Sequence, residues 1–193
     1  MKIRFCEGGA LKTKMVLTTI FLFIGLVIFL PIFALTKNAV IEAVTITIGV
    51  TLYHFAMRLG IGAIVNSIMK NKANHENVWF REKSFERKLY NFIGVRKWKK
   101  YLPTYNPNTF DINQKTLEEI VGATCQAEIV HELIMLFSLL PILFIPLLGG
   151  ALALIITSVL SALIDFAFVI LQRYNRPRLV RAINRLTQSK SSK

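Results

Sequence analysis

Acidic residues are scarce in this 193-residue chain: 11 Asp and Glu stand against 24 Lys and Arg, a formal net charge of +13 at neutral pH. Charge of either sign is thin as well, at 18% of residues, whereas 53% are apolar and the mean hydropathy is +0.49. So little charge cannot cover a soluble domain of this size or keep a chain disordered. Cysteine is almost absent. Cys6 and Cys125 are too few for a disulfide scaffold. No coiled-coil pattern and no internal repeat are visible. What remains is a single membrane domain covering residues 1–193.

Four apolar stretches are long enough to cross a hydrocarbon core, which takes about 20 helical residues. They run over residues 15–35, 39–69, 129–148 and 151–171. Helices are expected because lipid offers the backbone no hydrogen-bond partners. The first stretch follows a basic front (Lys2, Arg4, Lys12, Lys14). Its apolar run is too long for a signal peptide and no small-residue cleavage site follows, so a retained helix is expected. Residues 1–14 carry four basic residues, 70–115 carry eleven, and 172–193 carry seven with no acid, while the turns at 36–38 and 148–150 hold one Lys between them. The positive-inside rule then puts both termini and the middle segment in the cytoplasm. The expected fold is an all-α integral membrane four-helix bundle of two transmembrane hairpins, multi-pass in the cell membrane. Cys6 and Cys125 fall on the reducing side, where a disulfide is not expected.

The interfacial segment, 70–127, has its own pattern. From Asn77 to Phe92, Val78, Phe80, Phe85, Leu89 and Phe92 recur at near-helical spacing with Arg81, Lys83, Arg87 and Lys88 on other faces, which predicts an interfacial amphipathic helix. Trp79, Trp98 and Tyr101 suit a headgroup belt. Thr116 and Glu119 form a capping box opening a helix that runs into the third span. Pro177 disfavours helix at Arg176, so the fourth helix is expected to end near Asn175. Beyond it the basic tail, 172–193, forms a second amphipathic helix with Leu179, Val180, Ile183 and Leu186 on its apolar side.

Ionisable residues inside spans are expensive and often mark function. His54 lies 15 residues past Ala39, roughly 22 Å inward at 1.5 Å per residue, and Arg58 follows one turn later. Glu128, His131 and Glu132 share one face of the third helix. Asp165 and then Gln172, Arg173, Tyr174, Asn175 and Arg176 close the fourth. These groups are expected in one layer near the cytoplasmic boundary. Snorkelling interface anchors are the bland alternative. As a site, His131 is the candidate general base with Glu128 as its orienting carboxylate. Arg58, Arg173 and Arg176 are candidates for holding a phosphate or an oxyanion, and His54 for contacting substrate. No metal is expected; if one is bound, His54, Glu128, His131 and Glu132 are the mixed N/O ligands. Cys125 is expected to be a buried, inert thiol rather than a nucleophile, and His75 to be solvated.

Two basic blocks add candidate contacts. GVRKWKKYLP (Gly94–Pro103) carries four cations with Trp98 and Tyr101. Arg96 and Trp98 could capture an anionic headgroup or the phosphates of an acyl donor, or simply anchor the segment on lipid. QRYNRPRL (Gln172–Leu179) adds Gln172, Tyr174, Asn175 and Arg178 to the contacts expected for substrate. Because the basic residues sit beside spans rather than in a folded basic domain, the expected partner is anionic lipid and not nucleic acid.

VRKWK (Val95–Lys99), the Glu-x-x-His step of Glu128 and His131, QRYNRPRL, Trp79-Phe80 and Phe85-Glu86 together resemble the glycosyl-4,4'-diaponeurosporenoate acyltransferase family of staphyloxanthin-type carotenoid synthesis. Block order and spacing agree over roughly Trp79–Leu179. The resemblance implies a membrane-bound O-acyltransferase that moves a long fatty acyl group onto a hydroxyl of a lipid or glycolipid acceptor. No cofactor is implied beyond the acyl donor, acyl-CoA or acyl carrier protein, as co-substrate. Membrane lipid and a second copy of the chain are further expected partners. Two other readings compete: a metal-dependent intramembrane enzyme, and a non-enzymatic lipid-binding or scaffolding protein.

Overall fold

The computed structural model describes residues 8–103 and 107–191. Cys6 and the first basic residues, Lys2 and Arg4, lie outside them. Every regular element among the described residues is helical. The long helices are α1 (Gly8–Thr36), α2 (Ala39–Met69), α5 (Leu117–Phe137) and α7 (Ala151–Ser191), with α3 (Glu86–Phe92), α4 (Val95–Trp98) and α6 (Ile145–Leu148) short. Four segments are long and apolar enough to cross a membrane: Leu11–Thr36, Ala39–Met69, Leu117–Leu148 and Ala151–Ser189. The protein is thus an all-helical, multi-pass membrane protein.

The first hairpin turns on Lys37 and Asn38. The Asn38 side chain caps α2 by accepting from the backbone N–H groups of Val40 (2.8 Å) and Ile41 (3.3 Å). Small residues set the approach of α1 and α2, with Gly25 against Ile48 and Gly49 against Leu26. Much of α1 remains uncovered by protein, Phe21 and Leu35 being 72% and 86% exposed. In water such a surface would be untenable, and lipid is the solvent that suits it.

The second hairpin departs from a continuous third span. The capping box forms as expected: the Thr116 hydroxyl accepts from Glu119 N–H and the Glu119 carboxylate accepts from Thr116 N–H. The α-helix then stops at Phe137. Pro141 and Pro146 remove backbone donors, and the chain proceeds as a 3-10 turn over Leu140–Phe144 followed by α6. Gly149 and Gly150, at φ of 67° and 59°, make the reversal into α7.

Two expectations about the segments outside the spans are corrected. Asn77–Phe92 is not one amphipathic helix but a 3-10 turn at Val78–Phe80, an extended Arg81 and then α3. The carbonyls of Trp79, Phe80 and Arg81 turn instead to accept hydrogen bonds from Arg173 and Arg176. The fourth helix does not end at Asn175: α7 passes through Pro177 to Ser191, so the tail is its continuation and not a separate helix. An interior proline costs a helix about 3 kcal/mol. Side-chain contacts flank Pro177 on both sides, Arg176 with buried Glu128 before it and Arg181 with Glu82 after it.

Cross-helix hydrogen bonds set the directions. Tyr53 donates to the Phe137 carbonyl (2.8 Å) and Gln126 donates to Asn66 (3.1 Å), so α2 and α5 are antiparallel. Ser138 with Ser161 (2.8 Å) and Arg176 with Thr124 (3.2 Å) make α5 and α7 antiparallel, leaving α2 and α7 parallel. At the end of α2 the chain reverses through Lys70 and Asn71, both at positive φ, and Asn71 N–H donates to Gln126 (2.6 Å). Gly122 of α5 lies against the Asn71 carbonyl, where a Cβ would overlap the oxygen. Gly122→Ala should therefore destabilise the protein by about 1–3 kcal/mol through overpacking, outweighing the ~1 kcal/mol of helix propensity that alanine adds. A lowered thermal midpoint of the detergent-solubilised variant checks this, and an unchanged or raised midpoint contradicts it.

Candidate functional site

The single polar layer expected from the sequence is in fact two, spaced along α7. The deeper one joins three helices through Asp165, which is 2% exposed. Arg58 of α2 donates through Nη2 to Asp165 Oδ2 (2.5 Å), to the Ser161 hydroxyl (2.9 Å) and to the Ser161 carbonyl (3.4 Å). His131 of α5 places Nδ1 2.8 Å from Asp165 Oδ1. The imidazole stacks on Phe168, with ring centroids 4.6 Å apart and planes 9° from parallel. Ser138 bonds to Ser161 behind them. An imidazole that donates from Nδ1 to Asp165 keeps its lone pair on Nε2. The His131 side chain is 23% exposed, so that nitrogen is reachable.

This geometry corrects the expected pairing of His131 with Glu128. The carboxylate that orients His131 is Asp165. Glu128, one turn earlier on α5 and fully buried, belongs to the second layer. Its Oε1 accepts from Arg173 Nη1 at 2.5 Å and its Oε2 accepts a short bond from Arg176 Nη2. Arg173 also donates to Glu86 from Nη2 (2.7 Å) and Nε (3.0 Å). Arg176 donates to the Thr124 hydroxyl and carbonyl (both 3.2 Å) and to the Phe80 carbonyl (3.1 Å), with its guanidinium over the Phe80 ring. Two arginines and two carboxylates therefore balance in a clamp that fastens residues 79–86 to α5 and α7. Arg173 and Arg176 were expected to hold substrate anions; their charges are instead committed inside the protein. At 1.5 Å per residue the clamp lies roughly 12 Å along α7 from Asp165.

The other candidates take varied positions. His54 is buried one turn before Arg58, and neither of its ring nitrogens has a hydrogen-bond partner; the Ser158 hydroxyl on α7 is in the same condition. Trp98 donates from its indole to the Ile93 carbonyl (3.0 Å) and packs with Tyr90, Val95, Ile170 and Tyr174. Tyr174 carries Arg178 on its ring, 3.6 Å from the centroid, and Lys99 at 5.0 Å. Lys99 donates to the Asn175 side chain (3.0 Å). Gln172 is buried and Arg96 exposed. Glu132 accepts from the Trp79 indole (3.1 Å). The alternative metal set of His54, Glu128, His131 and Glu132 is not assembled: both Glu128 oxygens are occupied by arginines, and no group of three or more potential ligands forms among the described residues. Cys125 is buried.

Sequence reasoning placed Asp165 in the polar layer but did not see it as the hub. It missed Ser138, Ser161 and Glu86 as partners. The Ser138 and Ser161 hydroxyls carry no signal in an apolar run, whereas Glu86, one of few acids in a basic segment, offers one.

Fold and site together define a multi-pass helical membrane protein that keeps ionisable groups buried between its spans. A family model described as glycosyl-4,4'-diaponeurosporenoate acyltransferase matches residues 76–185. Two proteins carrying that name, from Staphylococcus aureus strains bovine RF122 / ET3-1 and N315, are each 28% identical over 145 residues, covering 69% of this chain and 85% of theirs. No solved structure matches. The chain belongs to the glycosyl-4,4'-diaponeurosporenoate acyltransferase family and is an acyltransferase, which sets aside the non-enzymatic reading. The matched region holds His131, Asp165 and the whole clamp; α1, His54 and Arg58 precede it.

Glu128→Gln removes one of the two carboxylates that neutralise the buried arginines. Breaking a buried ion pair from one side costs about 3–5 kcal/mol. The variant should lose stability on that scale, and amide exchange should rise first in residues 78–92. Unchanged exchange there would separate this segment from the clamp.

Proposed function

We propose that the protein transfers a long-chain acyl group from a thioester donor to a hydroxyl of a lipid-like, glycosylated acceptor, with His131 as general base and Asp165 as its orienting partner. The observation that carries this reading is the His131–Asp165 contact at 2.8 Å, with the opposite ring nitrogen accessible. In the reaction Nε2 takes the proton of the acceptor hydroxyl as its oxygen attacks the thioester carbonyl. The tetrahedral intermediate collapses with loss of the thiolate, to which the imidazolium returns the proton. The products are an ester and a free thiol. The contacts of Arg58 all use Nη2, so Nη1 and Nε remain to face the oxyanion.

The acceptor class rests on two supports. The S. aureus relatives are named for a glycosylated carotenoid acid. In this chain the unpartnered nitrogens of His54, one turn before Arg58, and the Ser158 hydroxyl, two turns before Asp165, offer buried hydrogen-bonding capacity suited to further sugar hydroxyls. The donor is acyl-CoA or an acyl carrier protein. The concentration of basic residues in 70–115 and 172–193 supports an orientation in the cell membrane with both termini cytoplasmic, and the dyad then opens toward a soluble donor.

His131→Gln should lower kcat by about 100- to 10,000-fold, the range that general-base catalysis supplies, in an assay of labelled acyl transfer to a glycolipid acceptor. Its thermal midpoint should stay close to that of the parent, because the side chain is partly exposed and the clamp is untouched. Transfer at the parent rate would overturn the assignment.

A further inference from the structure

From Asp165, α7 runs 13 residues, about 20 Å at 1.5 Å per residue, to Arg178. There it walls a cleft of about 50 Å³ whose opposite side is built around α3, with Arg87 and Asn91 facing Arg178 and Arg181. The charges in this cleft do not balance. Arg173, at its inner end, is already neutralised by Glu86 and Glu128. Glu82 on the rim is divided between Arg87 (4.0 Å) and Arg181 (3.5 Å). Arg178 makes no ion pair among the described residues. It lies on the Tyr174 ring and donates one bond to the Tyr174 carbonyl (3.3 Å), so most of its donors remain available. Next to it, burial together with the charges of Arg178 and Arg96 depresses the pKa of Lys99 below the ordinary lysine value. Cations crowded in this way are relieved by a bound anion, and guanidinium groups match phosphate oxygens two at a time.

We propose that the cleft between α3 and α7 binds the phosphate groups of a phosphopantetheine-type acyl donor, with Arg178 and Arg181 as their main ligands. This rests on the His131–Asp165 centre being where acyl transfer occurs. An extended pantetheine arm covers a distance like that from Arg178 to Asp165, so a phosphate held in the cleft lets the thioester reach His131. The acyl chain then continues into lipid between the apolar helix faces.

Calorimetric titration of coenzyme A into the protein in phosphatidylcholine nanodiscs tests the site. The double variant Arg178→Gln/Arg181→Gln should bind coenzyme A at least tenfold more weakly. Pantetheine, which lacks the phosphates, should bind parent and variant alike. In transfer assays the variant's KM for acyl-CoA should rise about tenfold with kcat within twofold. Arg181→Gln alone, with a side chain 46% exposed, carries the test should the double variant fail to fold. Equal affinity of parent and variant for coenzyme A overturns the proposal. So does a variant that keeps coenzyme A binding but loses binding to phosphatidylglycerol vesicles, which would assign the cleft to a lipid headgroup. Coenzyme A titration into His131→Gln separates the two readings: binding that persists while transfer continues at the parent rate counts against the dyad alone.

Discussion

The structure depends on a single carboxylate with no access to solvent. Glu128 is fully buried and needs charged partners, because the desolvation of a lone buried charge exceeds anything packing returns. Arg173 and Arg176 supply those partners from α7, and Glu86 supplies the second negative charge that keeps the arginines matched. Once these four charges meet, α5 and α7 are held in register. Residues 79–81 are drawn in through their carbonyls, and α7 continues as helix through Pro177. A charge cluster that contributes little net stability can still select one arrangement of helices, and here the register it selects is also the one that aligns His131 with Asp165.

The deeper layer is placed rather than assembled. Asp165 lies two turns before Arg173 on the same helix, and His131 lies one turn after Glu128. The clamp therefore fixes the dyad by helical geometry alone, while Arg58 and the stacked Phe168 settle the direction in which the imidazole points. This separates two duties that the sequence mixes in one run of polar residues. The two arginines of QRYNRPRL before the proline hold the fold together, and the one beyond it, Arg178, lies on the Tyr174 ring with no ion pair among the described residues. The glutamate of the Glu-x-x-His step serves the clamp, and its histidine serves the dyad.

Span number, helical character and membrane residence were all legible without coordinates, because they follow from local quantities: the length of apolar runs, the scarcity of acid and the placement of lysine and arginine between runs. The capping box at Thr116 was legible for the same reason, since every atom it uses lies within four residues. The polar layer was legible as a list of costly residues, but not as pairings. Glu128 and Asp165 are both carboxylates within reach of His131 in a sequence argument, and only the facing of α5 on α7 separates them. Pro177 misled because local propensity says nothing of anchors supplied from distant residues. Asn77–Phe92 misled because its periodicity does not show that carbonyls within it are taken by arginines nearly a hundred positions away.

The sequence by itself therefore determined that this is a four-span, basic, all-helical membrane protein with too many ionisable groups in its apolar regions to be inert. Tertiary structure alone decided which of those groups neutralise one another and which keep a free, accessible atom. The physical reason is that hydropathy and helix formation are sums over neighbours along the chain. The partner of a buried charge is set by which side chain lies within about 3 Å in space, and in this protein those partners come from helices that the chain visits 34 to 107 residues apart.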